Sequence, residues 1–487
     1  MKQRKMKLTA YKIALATVLI FSLGSCKKFL EREPINQTGK NTLFETVEGA
    51  SQAMTGSYNR VLDYYKNEFG LYGDVASDNV IRGEKTNVML PQFNYQSVPD
   101  EDPLAVGHIW LDIFEALNSV NNILAALPEL KSKFPEEAAK LQTIEGQALV
   151  IRALCHFDVC RVYAQPYNYT GDASHVGVPV LLKTPSPGAE VPRKTVKEVY
   201  DQIITDLTAG ASLLRERTQP APIRIGYHAA LALLSRVYLY KGDWTQSLNY
   251  ANMVINSNAY QLATTAAEYK ASFLTSAVDD LPIKEKIFQL TNIGLPLGPS
   301  NVYTVYSDAI GSRYYASAKL RNLYEADDIR AAPMYTVPAS GENIGKYITK
   351  KYADGTVTEG NAPLIQVVRL SEMYLNRAEA KWNLQQYEEA KEDLRIIAQR
   401  AHPDRTITIT YNSPTDLYQQ IANERNRELA FENHRFFDII RRKENLIRGV
   451  DCNASVCNLS YPNNKFVLPL PTREIQANKG LTQNPGY

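Results

Sequence analysis

Two stretches of the chain gather flat aromatic rings beside hydrogen-bonding groups. Residues 66–106 hold Tyr72, Asp78, Asn79, Arg82, Phe93 and Tyr95, and the run NVYTVYSDAIGSRYYASAKL supplies Tyr303, Tyr306, Arg313, Tyr314 and Tyr315. Such rings cover the apolar faces of sugar rings or peptide side chains, while Asn, Asp and Arg satisfy hydroxyls and carbonyls. That is the chemistry of recognition, with no bond broken. For any one of these residues, packing in a local mini-core is the favoured reading; as two clusters in loops of a rigid scaffold they form the candidate binding surface. The chain has 30 Tyr but only three Trp, each within a helical pattern.

The densest charged text is ANERNRELAFENHRFFDIIRR, in which Glu424, Glu428 and Glu432 recur every four residues among Arg425, Arg427, Arg435, Arg441 and Arg442. One reading is an acid/base cluster or an anion clamp. The favoured reading is a helix with i, i+3 and i, i+4 ion pairs and an apolar stripe of Leu429, Phe436 and Ile440. The chain contains no H-E-x-x-H, G-x-x-x-x-G-K or G-x-S-x-G, and its six histidines are scattered. Three enzyme classes therefore lose their local signatures. A two-carboxylate glycoside hydrolase has no local motif to test, but the acids sit mainly in helical patterns, where they serve as solvated or paired surface. No catalytic residue, cofactor or metal is expected.

Residues 1–25 have a basic start, an apolar centre from Ile13 to Leu23 and small residues before Cys26. This is the tripartite form of a secretory signal. The apolar centre, 11 residues, falls short of the roughly 20 that span a bilayer. LGSC resembles the bacterial lipoprotein cleavage box, which makes Cys26 the expected lipidation site of a soluble but tethered chain. Five of the 54 basic residues fall in 1–25, which leaves 49 against 52 acidic; nothing there calls for a nucleic-acid partner. Cys155 and Cys160 lie in a helical pattern on different faces and read as buried apolar fillers. Cys452 and Cys457 flank the polar loop CNASVC, where in an exported chain a disulfide and two free thiols are both open.

The elements that must position these groups are mostly helices. Helical text covers 42–65, opening with Thr42 as a candidate N-cap and Glu45 three residues on. Further helical text covers 107–127, 134–165 and 194–214, and a helix is expected over 415–444. The segments 227–255 and 370–400 look like two copies of one helix–turn–helix unit. Trp244 aligns with Tyr387, Ser247 with Ala390, Ala251 with Leu394 and Val254 with Ile397. An aromatic at the turn and a small residue three later let two helices approach closely, as in tetratricopeptide pairs. Residues 66–106 and 258–365 break the pattern. The second of these, with apolar runs KIFQL and PLIQVV, reads as irregular structure with a few strands. The chain closes in a loop-like tail, 445–487.

The ordered set of fragments CKKFLEREP, IWLDIFEALNSVNNIL, EGQALVIRALCHFDVCRVYAQPY, GVPV, DDIR, KY, VVRLSEMYLNRAEA, NERNRELAFENHRFFDIIRR and LTQNPGY resembles the SusD/RagB family of Bacteroidota outer-membrane lipoproteins. The resemblance runs through nearly all of the chain after Cys26. It implies a mainly α fold: an α-solenoid of four tetratricopeptide-like helix pairs carrying an irregular, loop-rich ligand-binding half with a few short strands. The expected organisation is a signal peptide at 1–25 and one domain at 26–487. Within it lie a helical scaffold (42–65, 107–257, 366–444), inserts 66–106 and 258–365, and the tail.

The resemblance also implies a non-enzymatic, surface-exposed lipoprotein of the outer membrane. It would bind glycans for uptake and sit as a lid on a SusC-like, TonB-dependent transporter. Sugar-binding relatives often stack ligands on Trp, and these loops have none, so Tyr serves or the ligand is a peptide. A glycoside hydrolase and an assembly scaffold are the further alternatives. On the binding reading, Tyr303→Ala or Tyr314→Ala lowers affinity at unchanged melting temperature.

Overall fold

The computed structural model describes residues 43–84, 86–100, 105–273, 285–291, 314–331, 335–336, 344–349, 351 and 365–487. The first long helix, α1 (Val47–Lys66), begins later than the sequence pattern places it. Its N-cap is Thr46, whose hydroxyl accepts from the Gly49 N–H. Residues 66–106, expected to be non-helical, contain α2 (Glu68–Val75), strand β1 (Val80–Arg82) and the short α3 (Leu90–Asn94). The long α4 (Val106–Lys133) and α5 (Ala138–Tyr163) follow, joined by a 3₁₀ turn at Pro135–Glu137.

Next come α6 (Val196–Leu213), started by a Thr195/Glu198 capping box, α7 (Tyr227–Lys241) and α8 (Trp244–Ile255). After the second insert come α11 (Leu370–Asn383), α12 (Tyr387–Ala401), α13 (Pro414–Leu429) and α14 (Arg435–Arg441). The insert itself holds α9 (Ala266–Ala271), β2 (Lys286–Leu290), β3 (Tyr314–Ala316), α10 (Ala318–Arg321), β4 (Tyr335–Thr336), β5 (Ile348–Thr349) and β6 (Ile365–Arg369). In the tail are β7 (Leu446–Ile447), β8 (Asn458–Leu459) and α15 (Thr472–Ala477).

The long helices pack in chain order: α1 on α4, α4 on α5, α5 on α6, α6 on α7, α7 on α8, α8 on α11 and α11 on α12. Four consecutive pairs result among the described residues, and the fold is mainly α. The two look-alike units, 143 residues apart in the chain, stack directly, and Arg377 on α11 bridges Asn252 on α8 and Asp393 on α12. Ser247, Ala251, Val254, Ala390, Leu394 and Ile397 are all buried. Ser235 and Ser247 exchange hydroxyl-to-carbonyl hydrogen bonds between α7 and α8 at 3.1 and 2.9 Å, which only small residues at the contact permit. Between α5 and α6 a Cβ on Gly146 would lie 2.7 Å from Leu214 Cγ, and one on Gly210 would lie 2.7 Å from Val150 Cγ2. The pair packs through its two glycines.

KIFQL pairs antiparallel as β2 with β6, which takes IQVV from the second run and Arg369 after it, Leu290 opposite Ile365. The helix expected over 415–444 is broken between α13 and α14, where Phe431 and Asn433 take left-handed φ of 65° and 62°. The break is held from outside: the Asp74 carboxylate accepts from both of their N–H groups, and Asn433 Oδ1 accepts from Gly73 N–H. The tail is no loose end. Leu468 N–H donates to Val162 O, and Asn484 Nδ2 donates to Tyr163 O, so the final LTQNPGY closes on the end of α5. Cys452 and Cys457 are bonded, Cα–Cα 6.0 Å, and Cys155 and Cys160 are buried free thiols. No helix among the described residues is long and apolar enough to cross a membrane.

Candidate functional site

The two aromatic clusters lie more than 200 residues apart in the chain and meet in one ribbon. β1 pairs antiparallel with β3, Ile81 opposite Tyr315 and Arg82 opposite Tyr314. Tyr314 OH donates to Val88 O, its ring lies 5.5 Å from that of Phe93, and Ala316 N–H donates to Tyr347 O on the far side of β3. Five candidates, Arg82, Phe93, Tyr95, Tyr314 and Tyr315, thus belong to one structural unit. Tyr303, Tyr306, Arg313 and the lipidation candidate Cys26 lie outside the described residues.

Burial corrects the picture of a ring-faced surface. Tyr72 is 2% exposed, Phe93 0%, Tyr95 8%, Tyr314 1% and Tyr315 3%; these rings face protein. Tyr72 packs edge-on against Phe436 and Phe437, and Tyr95 donates its hydroxyl to Ala76 O. Asp78 and Asn79, 1% exposed each, are equally closed off. Asp78 is gripped by Arg435 at 2.7 and 2.8 Å and by Lys319 at 2.7 Å. Burial alone would raise its pKa, but these two cations overcome that and hold it well below the usual carboxylate range. Asn79 donates to Asn426 Oδ1. An aromatic-rich loop with a sheet register and a fixed hydrogen-bond set has become a mini-core, because rings bury more area against one another than against solvent.

Polar groups remain accessible on this unit, beside the exposed Ile344. Arg82 is partly exposed and spans its loop to Thr86 O; Glu84, Asn87 and Gln96 are exposed. Lys346 Nζ sits 4.8 Å from the Tyr315 ring centroid, and the Arg321 guanidinium sits 4.7 Å from that of Tyr347. Two residues that the sequence pattern did not single out support the face. Arg448, 6% exposed, lies 4.3 Å over the Phe93 ring and donates to Phe93 O and Ser77 O. Asn453, in the disulfide loop, hydrogen-bonds the backbone of Arg82. The CNASVC spacing was the available signal for the second; nothing local marks the first.

The Glu/Arg segment is structural, though its pairs are mostly not the helical ones. Glu424, Glu428 and Glu432 are buried, and their partners come from distant elements. Glu428 meets Arg400 at 2.5 Å, Arg330 at 2.8 Å and Arg369; Glu432 meets Lys351 at 2.7 Å and Arg369 at 2.9 Å. Glu424 meets Arg330 at 2.6 Å. Of the helical pairs, Arg427–Glu424 and Arg441–Asp438 are formed. A second network runs from Arg236 through Glu372, Arg425, Asp438 and Arg441 to Glu379 and Arg442. Burial would raise Glu424, yet Arg330 and Arg427 overcome it and hold the carboxyl at about 2. Carboxylates kept ionised and sealed from solvent do not serve as general acids.

Glu325, Asp327 and His402 gather as a cation-sized cluster, but Arg405 already pairs with both acids, 2.7 Å from Asp327. A cleft of about 480 Å³ between the start of α4 and α15, lined by His108, Leu111, Pro471 and Arg473, contains none of the candidate residues.

Comparison with known proteins covers both halves of the chain. Residues 301–487 match the family model described as SusD family, and residues 28–239 match the model described as starch-binding associating with outer membrane. Two SusD-like proteins of Formosa agariphila are 22% and 24% identical, each over 98% of this chain and 99% of its own length. Among solved structures, a SusD superfamily protein of Bacteroides thetaiotaomicron is 25% identical with a TM-score of 0.79, covering 90% of this chain and 100% of that one. A protein of Bacteroides vulgatus described as a putative sugar binding protein is also 25% identical with a TM-score of 0.79, covering 91% of this chain and 99% of its own.

Proposed function

We propose that this chain, which belongs to the SusD/RagB family, is a cell-surface lipoprotein that captures glycans without cleaving them and hands them to a SusC-like, TonB-dependent transporter. The observation that carries this reading is the convergence of two sequence-distant inserts on one face, built on a ring-packed base. On such a base the contacts to a glycan come from its polar rim, not from the buried rings. Arg82, Asn87 and Gln96 offer donors and acceptors to hydroxyls, and a rigid base lowers the ordering cost of binding. Family membership supports glycan binding in general terms. The basic–apolar–Cys26 start supports outer-membrane anchoring by lipid, with two or more acyl chains needed for a stable hold.

Peptide capture is the second reading, favoured by the placement of Trp110, Trp244 and Trp382 in the helical scaffold and none in the described loops. Calorimetric titration of the detergent-solubilised lipoprotein with soluble starch, pectin, carrageenan and a casein digest separates the two. Binding to at least one polysaccharide with no product released supports glycan capture. Binding to the digest alone transfers the reading to peptides, and product release overturns it. Co-purification of a β-barrel transporter with the tagged lipoprotein tests the partner.

A further inference from the structure

We infer that the Cys452–Cys457 ring is a clamp that positions Arg82 and the loop after it on the ligand face, with Asn453 as its positioning residue. The inference rests on the ligand face proposed above. Among the described residues β1 has one strand neighbour, β3. In an antiparallel ladder, successive residues alternately turn their N–H and C=O toward the partner and away from it. Arg82 is a position that turns away: its N–H donates to Asn453 Oδ1 at 3.0 Å and its C=O accepts from Asn453 Nδ2 at 2.7 Å. A side-chain amide offers the same donor and acceptor as a peptide group. Asn453 therefore completes the open edge of β1 as a third strand would, for one residue.

The same small ring fastens the far end of the loop. Ser455 N–H donates to Asn94 Oδ1 at 2.8 Å, while Asp451 Oδ2 accepts from Ala318 N–H at 2.6 Å, just beyond β3. The end of β1 at Arg82 and the end of α3 at Asn94 are thus gripped by one loop, and that loop is closed on itself by a disulfide across five positions. Asn453 and Ser455 are exposed, while Ala454 and Val456 beside them pack against the core. Closing the ring removes most of the alternative conformations that would take Asn453 off the edge.

Hydrogen exchange on the full lipoprotein, with titrations using starch, pectin, carrageenan and the casein digest, tests this. Asn453→Ala should speed exchange at the Arg82 amide about tenfold, the loss of one solvent-edge hydrogen bond. It should weaken the probe that binds wild type at least fivefold, with the amides of α5 unchanged. Asn453→Asp keeps the acceptor for the Arg82 N–H and should restore part of the protection. Cys452→Ser with Cys457→Ser keeps Asn453 and should still loosen Arg82. Unchanged exchange in all three variants overturns the clamp. Faster exchange with undiminished binding overturns its role at the ligand face. If wild type binds none of the four probes, the ligand face itself falls, and the exchange result alone decides the clamp.

Discussion

Glu428 sits at the centre of a buried ionic cluster, and its charge should be worth several kcal/mol to the fold. Five carboxylates (Glu285, Asp328, Glu424, Glu428, Glu432) face five cations (Arg330, Lys351, Arg369, Arg400, Arg427), so the cluster is neutral as it stands. Glu428→Gln preserves shape and leaves Arg330, Arg369 and Arg400 facing one another with one carboxylate fewer. Removing one partner of a buried pair costs about 3–5 kcal/mol. With an unfolding entropy of about 1 kcal/mol/K for a chain of this size, that is a fall of about 3–5 °C in melting temperature. Glu389→Gln, at an exposed site on α12, should stay within about 0.5 kcal/mol.

The pH dependence carries a second signature. Burial would raise the Glu428 pKa, but Arg400, Arg369 and Arg330 overcome that and hold it well below its ordinary value. Such a group contributes its stability above the unfolded pKa and loses it as pH falls toward the folded one. Wild type should therefore lose stability below about pH 4.5, and Glu428→Gln should lose less over the same range. Denaturant midpoints from pH 3 to pH 7, read by circular dichroism, measure both effects. A variant no less stable than Glu389→Gln, with the wild-type acid limb intact, would refute the idea that the buried Glu428 charge stabilises the fold by several kcal/mol.

Two further predictions follow from burial. Tyr314→Ala should destabilise by about 3–5 kcal/mol, because it removes a core ring and the donor to Val88 O; this reverses the expectation of lost affinity at constant melting temperature. Far- and near-ultraviolet melts measure it, and an unchanged midpoint would return Tyr314 to the surface. Gly73→Ala would place a Cβ 2.4 Å from Asn433 Oδ1 and 2.8 Å from the Asn433 backbone. The close approach of α2 to the α13–α14 break should then cost about 1–3 kcal/mol, visible as a lower denaturant midpoint.

Periodicity and turn chemistry were enough to read the helical scaffold, because they are local. The three-and-four spacing marks α4, the Ser247 and Ala390 positions mark close helix pairs, and KIFQL and PLIQVV mark two strands. The order of fragments from IWLDIFEALNSVNNIL to LTQNPGY was enough to read the family. Two local readings failed where a distant group intervened. The helix expected over 415–444 breaks because Asp74 and Gly73 stabilise left-handed residues at 431 and 433, and 66–106 carries α2 because its apolar face packs on α1 and α14.

What only the tertiary structure decided is which side of each polar or aromatic group meets water. Tyr72, Phe93, Tyr95 and Tyr314 look like ligand platforms in the text and are core in the fold, since Phe93 packs on Tyr314 beside the β1–β3 ribbon and Tyr72 and Tyr95 pack on Phe436. Glu428 looks like helix surface and is the centre of a sealed network, since its arginines arrive from residues 330, 369 and 400. Burial depends on partners far along the chain, and no local spacing carries that information. The sequence alone determined the frame and the kind of protein; the packing of distant segments determined which residues are left to touch a ligand.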